Sequence, residues 1–184
     1  MHIQTLGTEH DTLIQQTAAL LMEAFREHWP SAWPDMSSAV EEVRELTAPE
    51  HICRVALKDD QVIGLIAGQP QYNGKVWELH PLAVCQAHQS KGVGSFLVAD
   101  FEMRVRERGG LTVMLGSDDE TDMTSLSGLN LYPNVWHHVQ RIANYKRHPY
   151  TFYQKLGYSI VGVIPDANGF GKPDILMAKR ISHP

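Results

Sequence analysis

Residues 76–95, VWELHPLAVCQAHQSKGVGS, constrain the fold more than any other part of the chain. An apolar strand pattern that carries polar residues runs into two closely spaced glycines and then into a helix-forming pattern. Glu78, His80 and Leu82 alternate along the strand, so we expect their side chains to share one face. The backbone N–H groups at a helix start attract anions. The segment therefore predicts an anionic ligand beside a strand with polar side chains.

The composition indicates one globular domain with a sizeable core. The chain has 184 residues, of which 43% are hydrophobic and 20% are charged, which suits a single domain over residues 1–184. The first ten residues lack the basic and apolar regions of a signal peptide, and no apolar run approaches the roughly 20 residues of a membrane helix. We therefore expect a cytoplasmic protein with no membrane partner.

Charge and cysteine content argue against several classes of function. A formal net charge of −5 argues against nucleic-acid binding, which relies on a basic patch, and is compatible with a cationic small substrate. Cys53 and Cys85 have no metal-type spacing, so we expect reduced thiols without a disulfide. The chain has ten histidines, but none has the spacing of a zinc site. No metal cofactor is expected.

Hydrophobic periodicity alternates between helix and strand along the chain. Helices are predicted over 12–28, from Ser38 to about Thr47, over 92–108 and over 149–156, with capping boxes at Thr12/Gln15 and Ser38/Glu41. Strands are predicted over 52–57, 62–68, 76–84, 111–115, 159–164 and 175–181, with a hairpin at 58–61. The acidic, turn-rich segment 117–134 and the segment 136–146 are left without an element. The alternation indicates a mixed α/β fold.

Pro81 interrupts the central strand. Because proline has no N–H to donate to a sheet, it indicates a bulge or a local splay in that strand. A splay would free the Leu82 N–H to point at an acyl carbonyl and to stabilise an oxyanion, a contribution of up to roughly 3 kcal/mol. The alternative interpretation is that Pro81 marks an edge strand.

A glycine loop follows the strand. It consists of Gln89, Ser90, Lys91, Gly92, Val93 and Gly94, and Ser95 opens the helix. The glycines allow the backbone to approach a pyrophosphate, which the first-turn N–H groups and the helix dipole attract, and Lys91 adds a positive charge. The pattern is neither a Walker loop nor a Rossmann fingerprint. A helix start that binds no ligand is the alternative.

The pattern Q-x-x-G-x-G after a bulged strand resembles the acetyl-CoA motif of the GNAT acetyltransferase superfamily. Further motifs resemble the aminoglycoside 6'-N-acetyltransferases of the chromosomal enterococcal type: WELHPL at 77–82, RGG at 108–110, HPYxFYxKLGY at 148–158 and ANGxxKPDIxMAK at 167–179. The resemblance extends from about Leu20 to Ile181. It implies a mixed, mostly antiparallel central sheet with splayed middle strands and flanking helices, and a homodimer.

The resemblance also implies an acetyl-CoA site. Its cofactor-binding residues would be Leu82, Ala83, Val84, Gln89, Ser90, Lys91, Gly92, Val93, Gly94, Ser95 and Tyr153. The backbone at Leu82 and Val84 would pair with the pantetheine arm, and the Leu82 N–H would hold the oxyanion. Tyr153 matches the tyrosine proposed to protonate the departing thiolate. Many superfamily members carry an asparagine seven residues before that tyrosine, whereas this chain has Lys146 there.

The acceptor site is implied in the same way. Glu78 and His80 match polar residues that line it in the enterococcal-type enzymes, and the carboxylate would orient or deprotonate the amine through water. Trp29 and Tyr72 match aromatic residues near the sugar. Clustered carboxylates raise the local concentration of cations, so Asp118 and Asp119 are candidate contacts to an aminoglycoside. The alternative for this acidic run is a solvated loop.

We expect direct transfer of the acetyl group within a ternary complex. Cys85 has no evident base, which argues against an acyl-enzyme. Tyr153 as a core residue and His80 as a hydrogen-bonded strand histidine are the alternatives for those two side chains. Rival functions are acetylation of another amine, such as a polyamine, a small metabolite or a protein amine, and a CoA-binding module without turnover. A Rossmann nucleotide-binding domain is a more distant alternative.

Overall fold

The structure, a computed structural model, describes residues 1–26 and 32–182. Contacts within the chain divide it into two compact units. The first consists of Met1–Val113 with Ile181–Pro184, and the second of Met114–Arg180. A single domain over residues 1–184 stays a prediction. Across the described residues, the structure contains no helix with the length and apolar character needed to span a membrane.

Helices and strands alternate along the chain. The helices are α1 (Asp11–Phe25), α2 (Met36–Leu46), α3 (Val93–Glu107), α4 (Val135–Val139) and α5 (Tyr150–Lys155). The strands are β1 (His2–Thr5), β2 (Ile52–Lys58), β3 (Gln61–Gln71), β4 (Val76–Val84), β5 (Thr112–Asp118), β6 (Ser159–Ile164) and β7 (Asp174–Arg180). The predicted bounds of β4 and β6 are confirmed. The sequence did not reveal β1 and α4, because each is too short to show a periodicity.

The strands form one seven-stranded sheet. The first unit contributes the order β1-β2-β3-β4, in which every pair is antiparallel, and the second contributes the order β5-β7-β6. β2 and β3 form the predicted hairpin. Its turn residues Asp59 and Asp60 have φ values of 51° and 61°, as a type I′ turn requires. The mixed, mostly antiparallel α/β fold is confirmed, and the splay of the middle strands stays a prediction.

Two helical layers enclose the sheet of the first unit. On one face, α1 and α2 cover a buried apolar cluster. Its members include Ile14, Ala18, Leu21, Ala39, Val43, Cys53, Val55, Leu65, Ala67 and Ala83. On the other face, α3 contributes its own buried stripe of Leu97, Phe101 and Val105. Each fully buried Val, Leu, Ile or Phe side chain of these layers stabilises the fold by about 1.5–3 kcal/mol, so β3 and β4 are held firmly between the layers.

The starts of α1 and α2 differ from the predicted caps. Asp35, not Ser38, is the N-cap of α2: its carboxylate accepts a 2.9 Å hydrogen bond from the Ser38 N–H, and the Ser38 hydroxyl lies 3.4 Å from the Asp35 nitrogen. Ser38 is therefore the third helical residue of the capping box. The predicted box at Thr12 is wrong, because α1 begins at Asp11 and Thr12 lies within its first turn.

A buried ion pair joins α3 to the sheet. Arg54 on β2 donates to both carboxylate oxygens of Asp100 on α3, at 2.6 and 3.1 Å. The same guanidinium donates to the Thr5 hydroxyl at 2.6 Å. Both charged side chains are largely buried, and paired bonds of this kind are directional. The pair therefore fixes the middle of α3 against β2 and helps to position the helix start.

Candidate active site

The predicted irregularity at Pro81 is a β-bulge. In the pairing of β3 with β4, Gly68 lies opposite Leu79 and Ile66 lies opposite Leu82. Two residues of β4, His80 and Pro81, therefore share the space opposite one residue of β3. The His80–Pro81 peptide bond is cis. The prediction that proline disturbs this strand is confirmed.

The bulge changes which side chains share a face. Directly opposed residues in an antiparallel pair point to the same side of the sheet. Gln69 opposes Glu78 and Leu65 opposes Ala83, and Gln69 and Leu65 are four residues apart on β3. Glu78 and Ala83 therefore lie on one face, and Leu82 points its side chain to the other. The predicted common face of Glu78 and Leu82 is wrong, because the extra residue shifts the alternation by one.

The backbone of β4 after the bulge turns alternate groups away from β3. Cys85 donates its N–H to the Ile63 carbonyl at 3.0 Å, so Cys85 faces β3. Because antiparallel pairing has a period of two, the N–H and C=O groups of Leu82 and Val84 face the opposite edge. The Gln89 side chain caps one of them, donating to the Val84 carbonyl at 3.1 Å. This edge offers main-chain groups to a partner other than β3.

Glu78 is held by two amides from β3. The side chains of Gln69 and Gln71 each donate a 3.2 Å hydrogen bond to the Glu78 Oε2 atom. Glu78 is half-buried and His80 is exposed. The two glutamines were not identified from the sequence. Their only signal was a pair of amides spaced by two on the strand before Glu78.

The predicted aromatic contacts are only partly described. Tyr72 is 76% exposed and has a φ of 49° in the connection between β3 and β4. Its ring is therefore free to meet a ligand. Trp29 lies outside the described residues.

The glycine loop forms a helix start with free donors. Gly92 is the N-cap of α3 with a φ of 87°, and Ser90 also has a positive φ, of 58°. The first backbone donor of the helix is Phe96, which donates to the Gly92 carbonyl at 3.0 Å. The N–H groups of the preceding residues therefore point out of the helix end, as in any α-helix. These residues are Val93, Gly94 and Ser95. They are well suited to an anion.

The Lys91 side chain belongs to the same loop. Its ammonium donates to the Ala87 carbonyl at 2.7 Å, which holds the charge over the turn that precedes the loop. Lys91 is exposed. Lys91 immediately precedes the N-cap Gly92, so its positive charge adds to the attraction of the helix dipole for an anion.

In the second unit, the two candidate aspartates differ sharply. Asp118 is exposed and accepts a hydrogen bond from the Asn168 side chain. Asp119 is fully buried, and its carboxylate accepts from the N–H groups of Met123 at 2.7 Å and Thr124 at 2.8 Å. Burial alone would raise the pKa of Asp119, but these hydrogen bonds lower the pKa below 3.8. The predicted substrate contact through the Asp119 carboxylate is corrected, because both oxygens hold the loop.

Tyr153 lies on α5 of the second unit and is largely buried. Its ring contacts Phe152 and Tyr158 edge-on, with centroids 5.1 and 5.6 Å apart. Burial raises the pKa of Tyr153 far above 10, so the hydroxyl keeps its proton across ordinary pH. The chemistry open to Tyr153 is therefore that of a neutral hydrogen-bond donor or acid.

A buried histidine organises the segment before α5. The His148 Nε2 donates to the Asp118 carbonyl at 3.0 Å, and its Nδ1 accepts from the Tyr150 N–H at 3.2 Å. The Asn144 side chain bonds both the N–H and the carbonyl of His148, at 2.7 and 2.9 Å. Lys146 instead turns outward and donates to the Thr121 carbonyl at 3.0 Å. From the sequence, His148 was identified only as the first residue of the motif at 148–158.

No group of three or more His, Cys, Asp or Glu side chains suited to a metal ion occurs in the described ranges 1–26 and 32–182. The two cysteines are free thiols, Cys53 buried and Cys85 half-buried. Burial raises the pKa of Cys53 to about 12. Its thiolate is therefore scarce near neutral pH, which removes it as a nucleophile.

The sequence profile of the acetyltransferase (GNAT) family matches residues 14–133 of this chain. The chain belongs to the GNAT family. The GNAT profile match includes β4, the bulge, the glycine loop and α3. A comparison with curated proteins found no match.

Solved structures of acetyltransferases resemble the whole chain. A crystal structure of an aminoglycoside 6'-N-acetyltransferase complexed with coenzyme A is 42% identical, with a TM-score of 0.93 and coverage of 100% of this chain and 99% of that chain. The aminoglycoside 6'-N-acetyltransferase from Enterococcus faecium is 42% identical, with a TM-score of 0.91 and the same coverage. An aminoglycoside 6'-acetyltransferase type Ii is 36% identical, with a TM-score of 0.77 and the same coverage.

Proposed function

We propose that this GNAT protein is an aminoglycoside 6'-N-acetyltransferase, which moves the acetyl group of acetyl-CoA to the 6'-amine of an aminoglycoside and so confers antibiotic resistance. The observation that carries the proposal is the identity of 42% over the full length with two structures of that activity. The net charge of −5 suits a cationic acceptor.

The residues present fit acetyl-CoA, which would supply an activated acetyl thioester when bound. The N–H groups that point out of the α3 start, with Lys91 beside them, suit a pyrophosphate. The main-chain groups of Leu82 and Val84, which face away from β3, suit the amide groups of a pantetheine arm, with Ala83 between them. The fit rests on main-chain groups of β4 that face away from β3 and on the N–H groups at the start of α3.

Each side chain has a proposed task in direct transfer within a ternary complex. Glu78, assisted by His80, accepts the proton that the amine must lose before it attacks, directly or through water. The Leu82 N–H donates to the carbonyl oxygen as negative charge develops there. Tyr153, neutral because its pKa is raised by burial, donates its proton to the departing sulfur. Trp29, Tyr72 and Asp118 are proposed contacts to the aminoglycoside.

Thiol release from acetyl-CoA tests the proposal. Kanamycin should support turnover, and kanamycin analogues with a hydroxyl in place of the 6'-amine should not. Turnover with polyamines, small metabolites or peptides but not with kanamycin would point to the rival GNAT activity. Binding of acetyl-CoA without thiol release from any amine would point to a binding module.

We further propose a cytoplasmic homodimer. The free state of Cys53 and Cys85 suits a reducing compartment, and the resemblance to the enterococcal-type enzymes supports the dimer. Sedimentation equilibrium of the full chain would give twice the 20.7 kDa chain mass for a dimer. A single-chain mass at all concentrations would contradict this.

A further inference from the structure

Both side-chain amides that bond to the Glu78 carboxylate belong to β3. Gln69 lies directly opposite Glu78 in the β3–β4 pairing, and Gln71 follows on the same face two residues along β3. Both donate to Oε2 at 3.2 Å. Within residues 1–26 and 32–182, each hydrogen bond that reaches this carboxylate ends on Oε2. The arrangement distinguishes one oxygen of Glu78 from the other.

The choice of amide donors has an electrostatic consequence. A lysine or arginine at either position would neutralise Glu78 and compete with an incoming ammonium. A neutral amide orients the carboxylate and leaves its full negative charge for the substrate. The hydrogen bonds from Gln69 and Gln71 to an ionised Glu78 are also stronger than hydrogen bonds between two neutral groups.

Orientation matters because a glutamate side chain is flexible. Ordering it costs up to about 2 kcal/mol of rotamer entropy. If the two glutamines order it before the substrate arrives, binding and proton transfer do not bear that cost. A base held in position is also effective, since proton transfer needs a short and aligned contact.

We infer that Gln69 and Gln71 are positioning residues that act through Glu78. They hold Oε2, and Oε1 receives the 6'-ammonium of the aminoglycoside and then its proton. The inference rests on the proposed function and deepens it, because it assigns specificity for an amine to three side chains on β3 and β4. Neither glutamine touches the reacting atoms.

The test compares Gln69→Met and Gln71→Met, which keep side-chain length and remove the donor. Each should lower kcat/KM for kanamycin about tenfold and leave KM for acetyl-CoA unchanged. Each should also raise the calorimetric Kd for kanamycin in the full-length chain but have no effect on Kd when Glu78 is replaced by alanine. Equal losses with and without Glu78 would show a merely structural role and overturn the inference.

Two further variants sharpen the result. Gln71→Lys supplies a donor with a competing charge and should weaken kanamycin binding more than Gln71→Met does. Gln61→Met, at the exposed start of β3, is the matched control and should behave as wild type. Absence of turnover in the wild-type chain would sink the proposed function. Normal turnover in wild type and in both methionine variants would sink only the role of the glutamines.

Discussion

The Gln89 side chain donates a 3.1 Å hydrogen bond to the Val84 carbonyl, which ties the glycine loop to the end of β4. Val84 turns this carbonyl away from β3, so the amide occupies an acceptor that a neighbouring strand would otherwise use. The bond spans only five residues. It therefore fixes the distance between the strand edge and the helix start, the two parts of the proposed acetyl-CoA site.

Replacing Gln89 with leucine should loosen that connection. Loss of one hydrogen bond worth about 1 kcal/mol should raise KM for acetyl-CoA about fivefold and leave KM for kanamycin unchanged. Initial rates with each substrate varied in turn measure both values. Gln86→Leu is the control, because Gln86 is exposed in the preceding turn. An unchanged KM for acetyl-CoA in Gln89→Leu would show that the hydrogen bond from Gln89 to Val84 does not contribute to acetyl-CoA binding.

Alanine substitutions at two glycines, one at each end of α3, distinguish backbone strain from a contribution to CoA binding. Gly92 and Gly109 have φ values of 87° and 77°, and a Cβ on either would meet no clash. Each alanine should therefore cost about 1 kcal/mol through the left-handed backbone alone. Thermal unfolding should show equal losses, and calorimetric titration with CoA should show weaker binding only for Gly92→Ala. Weaker CoA binding in Gly109→Ala as well would argue against a local role for Gly92.

Tyr153→Phe should lower kcat by about a hundredfold, the lower end of general acid catalysis. Because burial raises the pKa of Tyr153, the wild-type rate should not fall through ionisation of this tyrosine as pH rises to 10. Tyr150→Phe is the matched control, since Tyr150 is also a buried residue of α5 with a raised pKa. The pH–rate profiles of wild type and of both variants measure kcat and its dependence on pH. Undiminished turnover in Tyr153→Phe would remove the assigned acid.

His148 should make stability depend on pH. Burial lowers the pKa of His148 below 6.5, although Asp118 and Asp119 oppose that change. A proton therefore binds more readily to the unfolded chain, and the free energy of unfolding should fall as pH drops below about 6.5. His148→Gln offers a donor to the Asp118 carbonyl but does not titrate, so its stability should change less over that range. Urea denaturation at several pH values measures the free energy of unfolding of wild type and of His148→Gln. If the two proteins lose the same free energy as pH falls, His148 is not the group responsible.

The neighbouring aspartates should respond oppositely to alanine. Asp119→Ala leaves the part-buried N–H of Met123 and the buried N–H of Thr124 without their acceptor, at a cost of about 2 kcal/mol or more. Asp118→Ala should keep stability and raise KM for kanamycin, since Asp118 is exposed. Urea denaturation and initial rates on both variants test the contrast. If KM for kanamycin rises only in Asp119→Ala, Asp119 and not Asp118 contributes to substrate binding.

The sequence predicts the strands and helices of this site better than the pairing between those strands. The bounds of β4 and its bulge follow from local chemistry, since the absence of an N–H in Pro81 disturbs any sheet. The helix start at Gly92 is local too. Both features were confirmed because neither depends on which strand lies alongside.

Pairing register could not be read in this way. The position of the extra residue opposite β3 decides that Glu78 and Leu82 point to opposite faces, and the residues of β4 alone do not reveal that register. Gln69 and Gln71 were missed for the same reason, because their link to Glu78 crosses between strands. Asp119 shows a related limit: an acidic run indicates an exposed surface, and only the folded loop shows that one carboxylate turns inward.

The bulge has a consequence for the length of β4. Deleting one residue at His80–Pro81 would restore regular pleating, and one half of the strand would rotate by half a turn relative to the other. Trp77 and Leu79, which are both buried, would then exchange places with the half-buried Glu78. A substitution here changes one side chain, whereas a single-residue indel inverts a whole half-strand. We therefore expect natural and engineered variants of this segment to differ in composition but to keep its residue count.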